Sequence, residues 1–291
     1  MRILILGGGG MLGHKLVAML QDEFETWSTL RGTVSAYERH GLFDPQRTFG
    51  GVDVLNFDAL TEVMAKVRPD AVINCIGIIK QIAAAADPFL SVSVNSLLPH
   101  RLHRLCQAAG ARLIHFSTDC VFSGRTGNYT EDDPSDALDL YGRSKFLGET
   151  IGAEALTIRS SIIGRELGTT SGLVEWFLSQ RGGRIEGYRR AIYSGFTTLE
   201  MARVVRLVLT EHRALSGTLQ VSSDRINKYD LLTLMQRAFD FDVEIVPDDK
   251  VQIDRSLDST RFRALTGFIP PSWPAMIDEL AESRCSTTRP S

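Results

Sequence analysis

The chain reads as an α/β protein built on a doubly wound parallel sheet, with a smaller C-terminal lobe interleaved with it. Two observations predict this. Before Arg165, short apolar runs rich in branched residues alternate with helical patterns about six times, as strands joined by crossover helices do. After Arg165 the alternation becomes irregular, so the later residues do not simply extend the same repeat. The 291 residues, 43% hydrophobic and 23% charged, have ordinary globular composition and length enough for a sizeable core.

Arg2-Ile3-Leu4-Ile5-Leu6 reads as a strand buried on both faces. Gly7-Gly8-Gly9-Gly10-Met11-Leu12-Gly13 follows, and a helical pattern runs from His14 to Leu20. Glycines at 7, 10 and 13 form G-x-x-G-x-x-G between a strand and a helix. That spacing supplies a tight turn, close backbone approach and free N–H groups at a helix N-terminus, which is what holding a pyrophosphate requires. Gly7, Gly10, Met11, Leu12 and Gly13 are therefore candidate dinucleotide contacts, and the sheet is expected to be Rossmann-like. Thr26 to Leu30 reads as the second strand and ends at Arg31. An acidic residue there would bind the ribose diol of NAD. An arginine suits the 2′-phosphate of NADP, so NADP is the expected cofactor and NAD the alternative. Residues 32–50 read as a polar loop. Val52-Asp53-Val54 reads as a short strand that brings the Asp53 carboxylate near the adenine. Phe57 to Val67 is helical in pattern and is closed by Arg68-Pro69-Asp70.

Ala71-Val72-Ile73-Asn74-Cys75-Ile76-Gly77 is another buried strand running into a turn. Its small C-terminal end, Cys75, Ile76 and Gly77, is expected under the cofactor phosphates and ribose. Leu90 to Ala109 reads as one long helix carrying Asn95. His100, His103 and Cys106 share that helix three residues apart, but no fourth ligand lies near in sequence, so no metal site is assigned. Arg112 to Phe116 is the next strand and delivers Ser117-Thr118-Asp119 at its C-terminal end, where open parallel sheets bind ligands. A polar loop from Ser123 to Asp139 precedes the helix of Tyr141-Gly142-Arg143-Ser144-Lys145, and Leu156 to Arg159 is a further strand. Later helices are expected over Leu173 to Gln180, Leu199 to Leu209, Tyr229 to Phe239 and up to about Glu282, with a short strand at Thr218 to Val221. A dinucleotide-binding domain is thus expected over 1–164, with residues from about 192 to 225 returning to it, and a substrate-binding lobe mainly over 165–291.

Tyr141 and Lys145 lie one helical turn apart on one face, with Thr118 at a neighbouring strand end. A free phenol has a pKa near ~10 and exchanges protons poorly at neutral pH. A nearby ammonium is expected to lower it. The Thr118 hydroxyl is expected to hold a substrate oxygen against the Tyr141 phenol. Joined to a dinucleotide turn, this set indicates hydride transfer to or from a carbonyl carbon.

The composition argues against other classes. Net charge is -3 and no concentrated basic patch appears, which disfavours a nucleic-acid partner. No apolar run reaches ~18 residues, so no membrane-spanning helix is expected, and the glycine turn interrupts the first apolar run unlike a signal peptide. Cys75, Cys106, Cys120 and Cys285 have no Cys-x-x-Cys spacing, which points to a reduced, cytoplasmic setting.

On these residues the chain resembles the extended short-chain dehydrogenase/reductases, and within them the dTDP-4-dehydrorhamnose reductase branch. The resemblance rests on Gly7, Gly10 and Gly13, on His115-Phe116-Ser117-Thr118-Asp119-Cys120-Val121-Phe122-Ser123-Gly124, and on Tyr141 to Lys145 with Gly148-Glu149. It rests also on the tail, Ser256-Leu257-Asp258-Ser259 with Gly267 and Trp273. It implies that Tyr141 is the acid/base. Lys145 would lower its pKa and bind the nicotinamide ribose, Thr118 would hydrogen-bond the sugar keto oxygen, and Asn95 would be a structural helix residue. The implied reaction is NAD(P)H-dependent reduction of a nucleoside-diphosphate 4-keto-6-deoxy sugar, with a homodimer as candidate assembly.

The sequence departs from this pattern in three places. Cys120 stands where sugar-nucleotide dehydratases carry Glu and rhamnose reductases Tyr. Arg159-Ser160-Ser161-Ile162-Ile163-Gly164 lacks the Trp and Tyr usual in the rhamnose enzymes. Ile76-Gly77-Ile78-Ile79-Lys80-Gln81 replaces an Ala-rich segment with Tyr and Thr. All three lie where the sugar is expected, so the resemblance specifies the reaction type and leaves the sugar open. Lys80, Gln81, Ser117, Asp119, Cys120 and Arg165 are the expected substrate contacts. Two other readings share the fold: a nucleotide-sugar epimerase with bound NAD, and a non-catalytic regulatory subunit such as that of methionine adenosyltransferase. The intact Tyr141/Lys145 pair favours catalysis.

Overall fold

The computed structural model describes residues 1–80, 86–150, 152–168 and 170–283. The first strand, β1 (Arg2–Leu6), sends Ile3 and Ile5 into the core on one side of a sheet and Leu4 and Leu6 into the core on the other. Side chains alternate along a strand, so a run apolar at every position is what a sheet covered on both faces demands. The chain continues through α1 (Met11–Leu20), β2 (Glu25–Thr29), a 3-10 helix (Val34–His40), β3 (Thr48–Phe49), α2 (Phe57–Val67) and β4 (Ala71–Asn74). Next come α3 (Pro88–Ser91), a π-helical stretch (Val92–Leu97) and α4 (Leu98–Ala109), then β5 (Arg112–Phe116), α5 (Leu140–Leu147), β6 (Ala155–Arg159) and β7 (Ile162–Ile163). The remainder comprises α6 (Leu173–Leu178), β8 (Arg184–Tyr188), β9 (Ala191–Tyr193), β10 (Phe196–Thr197), α7 (Thr198–Thr210) and β11 (Gly217–Gln220). It ends with β12 (Ile226–Asn227), α8 (Lys228–Ala238), β13 (Glu244–Asp248), β14 (Ile253–Asp254), α9 (Thr260–Thr266) and α10 (Trp273–Glu282).

Seven strands form one parallel sheet in the order β11-β6-β5-β4-β1-β2-β3. The chain runs outward from β1 to β3 and then returns to β4 on the other side of β1. That reversal opens a crevice at the C-terminal ends of β1 and β4, the place where doubly wound sheets take ligands. The fold is thus the Rossmann-like α/β architecture that the alternation predicts.

Three local expectations change. Residues 32–50 are not a plain loop, since they hold the 3-10 helix and β3. The third strand is therefore Thr48–Phe49, and Val52-Asp53-Val54 follows it as a turn in which Asp53 accepts the N–H of Leu55 at 3.0 Å. The long helix is interrupted by its π stretch, because Pro99 has no N–H to give to the Asn95 carbonyl.

The later strands make small sheets beside the large one: β7 with β10, β8 with β13, and β12-β9-β14. They are fastened near the C-terminal ends of the main strands. Phe196 N–H donates to the Ser161 carbonyl at 2.8 Å, and Trp273 Nε1 to the Asp224 carbonyl at 2.7 Å. Among the described residues, no helix is long and apolar enough to cross a membrane.

Candidate active site

The glycine turn shows why its residues are glycines. Gly7 has a φ of 79°, and a Cβ on it would lie 2.9 Å from Ile76 Cγ1. A Cβ on Gly13 would lie 2.1 Å from the Gly7 carbonyl oxygen, so α1 packs onto the turn only because that atom is missing. Gly10 is exposed and is the N-cap of α1, with no side chain capping the helix and no acidic residue in the first turn. The free N–H groups and the positive end of the helix dipole thus face outward, a cradle for phosphate oxygens. Met11 is half-buried and Leu12 buried at the start of α1. Arg31 lies exposed just past β2, and Asp53 is exposed with its carboxylate turned to its own backbone.

Beside this turn, the end of β4 leads into Cys75, Ile76 and Gly77. The Cys75 thiol is pushed up by burial and stays neutral. Asn95, on the π stretch, fastens the segment: its side chain accepts from Ile78 N–H at 2.8 Å and donates to the Ile78 carbonyl at 3.0 Å and to Ser144 Oγ at 3.2 Å. Ser144 lies in α5, so one amide ties the β4 end to the helix carrying Tyr141 and Lys145. A Cβ on Gly77 would sit 3.8 Å from Lys145 Nζ.

Lys145 is buried, and its ammonium donates to the Phe116 carbonyl at 2.6 Å. Burial pulls its pKa down to about 8, with the charge of Glu149 opposing the shift. Two residues past Phe116, the Thr118 hydroxyl neighbours the half-buried Tyr141 phenol and acts to lower its pKa. Thr118 also donates to Asp119 Oδ1 at 3.0 Å and accepts from Cys120 N–H at 3.1 Å. The expectation that Lys145 lowers the Tyr141 pKa is not met in this arrangement. Burial raises it, reinforced by the neighbouring Cys120, Asp119 and Asp139, with Thr118 acting downward. Tyr141 is therefore held as a neutral phenol. Asp119 is raised chiefly by burial, and the Cys120 thiol is pushed up to about 12.

Three expected substrate contacts have partners inside the protein. Ser117 Oγ donates to Glu149 at 2.7 Å, and Glu149 in turn takes two hydrogen bonds from Arg159, at 2.8 and 2.7 Å. Lys80 pairs with Asp139 at 2.7 Å, and Asp139 caps α5 by accepting the Gly142 N–H. Arg165 pairs with Glu175 at 2.5 Å. These side chains shape the walls of the site. Gln81 lies outside the described residues. Sequence reasoning passed over Tyr193 of the small β12-β9-β14 sheet, whose hydroxyl is buried and within electrostatic reach of Asp119. No local motif marks it, because β9 is three residues long and carries no period.

A parallel sheet with a glycine turn at its switch point and a hydroxyl–phenol–ammonium set at its strand ends defines a Rossmann-type α/β protein. A family model described as the RmlD substrate binding domain matches residues 1–168, which include the glycine turn, Thr118, Tyr141 and Lys145, and the chain belongs to that family. A dTDP-4-dehydrorhamnose reductase of Streptomyces griseus is 32% identical over 156 residues, covering 53% of this chain and 46% of that protein. The chain spans about half the length of the curated relatives it matches. The crystal structure of dTDP-4-dehydrorhamnose reductase from Bacillus anthracis in complex with NADP superposes with a TM-score of 0.79 at 20% identity, over 97% of this chain and 99% of that one. A UDP-glucose 4-epimerase of Thermus thermophilus in complex with NAD superposes with a TM-score of 0.78 at 19% identity, over 98% and 100%.

Proposed function

We propose that the protein is a nicotinamide-dependent reductase of a nucleoside-diphosphate 4-keto-6-deoxy sugar, similar in activity to the dTDP-4-dehydrorhamnose reductases. The observation that carries this reading is the convergence at the end of β5: Thr118 beside the Tyr141 phenol, with the Lys145 ammonium on the Phe116 carbonyl. Residues 1–164, with about 192–225 returning to them, bind the dinucleotide, and 165–291 mainly cover the sugar nucleotide. The uncapped N-terminus of α1 and the glycine turn fit a pyrophosphate, and Ile76 and Gly77 would border the ribose. NADP is favoured over NAD, since exposed Arg31 follows β2 where an acidic residue would serve NAD.

When bound, the dinucleotide supplies a hydride to the keto carbon. The protein's own residues handle the oxygen. Thr118 hydrogen-bonds it, and Tyr141 gives it a proton as charge develops, so ketone, hydride and proton yield the alcohol. A phenol kept neutral by burial is suited to that donation. Lys145 stays cationic below about pH 8 and, lying beside Gly77, would hold the ribose.

NADPH and NADH oxidation is followed with a panel of such sugars made in situ by dehydratases. Turnover is expected with at least one sugar, faster with NADPH. Tyr141→Phe is expected to bind cofactor normally and lose at least ~100-fold in turnover, the scale of a removed general acid. Near-normal turnover in that variant overturns the mechanism. NAD retained through purification, with no net oxidation of any sugar, favours an epimerase instead.

A further inference from the structure

Resting on the dinucleotide-binding reading of the glycine turn, we propose that Tyr37 is a cofactor-binding residue whose hydroxyl donates to a phosphate oxygen of the dinucleotide. The spacing that holds a pyrophosphate requires glycine at 7, 10 and 13 and leaves positions 8 and 9 open to other residues. Both are glycine here, and aromatic rings lie against them. A Cβ on Gly9 would lie 2.7 Å from the Tyr37 hydroxyl oxygen and 2.9 Å from the ring carbon that bears it, and one on Gly8 would lie 3.4 Å from Phe43 Cε1. Tyr37 therefore rests on the turn only because Gly9 has no side chain. The same ring passes Gly32, the residue after Arg31, where a Cβ would meet Tyr37 Cε2 at 3.4 Å. It spans the space between the glycine turn and the end of β2, the two places where a Rossmann-type sheet meets the phosphates of a dinucleotide.

The segment that carries Tyr37 is tied to its surroundings. At its base the Gly51 N–H donates to the Gly32 carbonyl at 2.9 Å, and Arg39 Nη2 reaches the Leu167 carbonyl at 3.4 Å. Phe43 meets the Tyr37 ring edge-on, with centroids 5.5 Å apart. The hydroxyl itself has no hydrogen-bond partner among the described residues, and its oxygen is not sealed from solvent. Tyr37 is half-buried, and Gly10, the next residue of the turn after Gly9, is exposed. A phosphate laid on the uncapped N-terminus of α1, which Gly10 opens, thus arrives next to this oxygen. Backbone N–H groups and the helix dipole draw the anion there, and a positioned O–H adds a hydrogen bond strengthened by the phosphate charge. A phenylalanine would fill the same seat without that donor.

The test compares the full chain with Tyr37→Phe by calorimetric titration of NADP and of NAD, and by melting without cofactor. The variant is expected to bind NADP at least ~10-fold more weakly, the scale of a hydrogen bond to a charged group, and to melt as the wild type does, since the hydroxyl has no partner inside the protein. A matching loss on NAD assigns the hydroxyl to the pyrophosphate, and a loss on NADP alone assigns it to the 2′-phosphate. Unchanged affinity for both dinucleotides, or a lowered melting temperature without cofactor, overturns the inference and leaves the dinucleotide reading standing. If the wild type binds a dinucleotide but oxidises NADPH with no keto-sugar, the reductase reading fails while the titrations still decide Tyr37. A wild type that binds neither dinucleotide overturns both.

Discussion

Lys145 and Tyr141 sit one helical turn apart, yet burial moves them in opposite senses for one reason: each is driven toward its neutral form. For Lys145 the neutral form becomes accessible above about pH 8, so kcat/KM is expected to fall as pH rises through about 8. Tyr141, raised above its ordinary value, adds no fall of its own there. A flat pH–rate profile from pH 7 to 9.5 contradicts this. The sign for stability is opposite. The unfolded lysine, at its ordinary 10.5, binds its proton between about 8 and 10.5 while the folded one does not, so Lys145 makes the fold more stable as pH rises through that window. At this scale the sequence showed the residue types of the site but not their partners. Ser117, Lys80 and Arg165 are polar residues near strand ends, as a substrate contact should be. Only the fold reveals Glu149, Asp139 and Glu175 against them.

Helix α5 owes its position to two elements distant in sequence. Pro99 opens the π stretch, and a Cβ on Gly148, just past α5, would lie 1.9 Å from the Asn95 carbonyl oxygen. The bare glycine therefore lets the two segments touch, and Ser96 Oγ closes the contact on the Ser144 carbonyl at 2.8 Å. Behind α5, Glu149 and Arg159 form an ion pair whose side chains are 7% and 6% exposed. Removing one partner of such a pair leaves a buried charge uncompensated. Glu149→Ala is therefore expected to cost about 3–5 kcal/mol in urea unfolding, and the double variant Glu149→Leu/Arg159→Met to recover most of it. A single variant within about 1 kcal/mol of wild type contradicts this. The resemblance pointed to Gly148-Glu149 in the sequence, but the pairing with Arg159 joins the end of a helix to a strand.

Across the whole molecule, acid acts through histidines held neutral. His14 is pulled to about 4 by burial behind the glycine turn, and His115, buried against Asn74, lies well below its ordinary value. Between pH 6.5 and about 4 the unfolded chain binds protons that the folded one refuses, so stability falls as pH falls through that window. The melting temperature is expected to drop from pH 6.5 to 4.5, and less steeply in His14→Gln. Parallel slopes for the two proteins remove His14 from the account.

The sequence by itself determined the strand–helix alternation, the glycine turn and the Tyr141/Lys145 spacing, because periodicity, backbone freedom and the helical turn are local properties. The tertiary structure decided the small sheets, whose strands of two to five residues exist only by pairing with distant ones, as β8 does with β13. It also decided the protonation of Lys145 and Tyr141, since desolvation depends on which remote segments close over a residue.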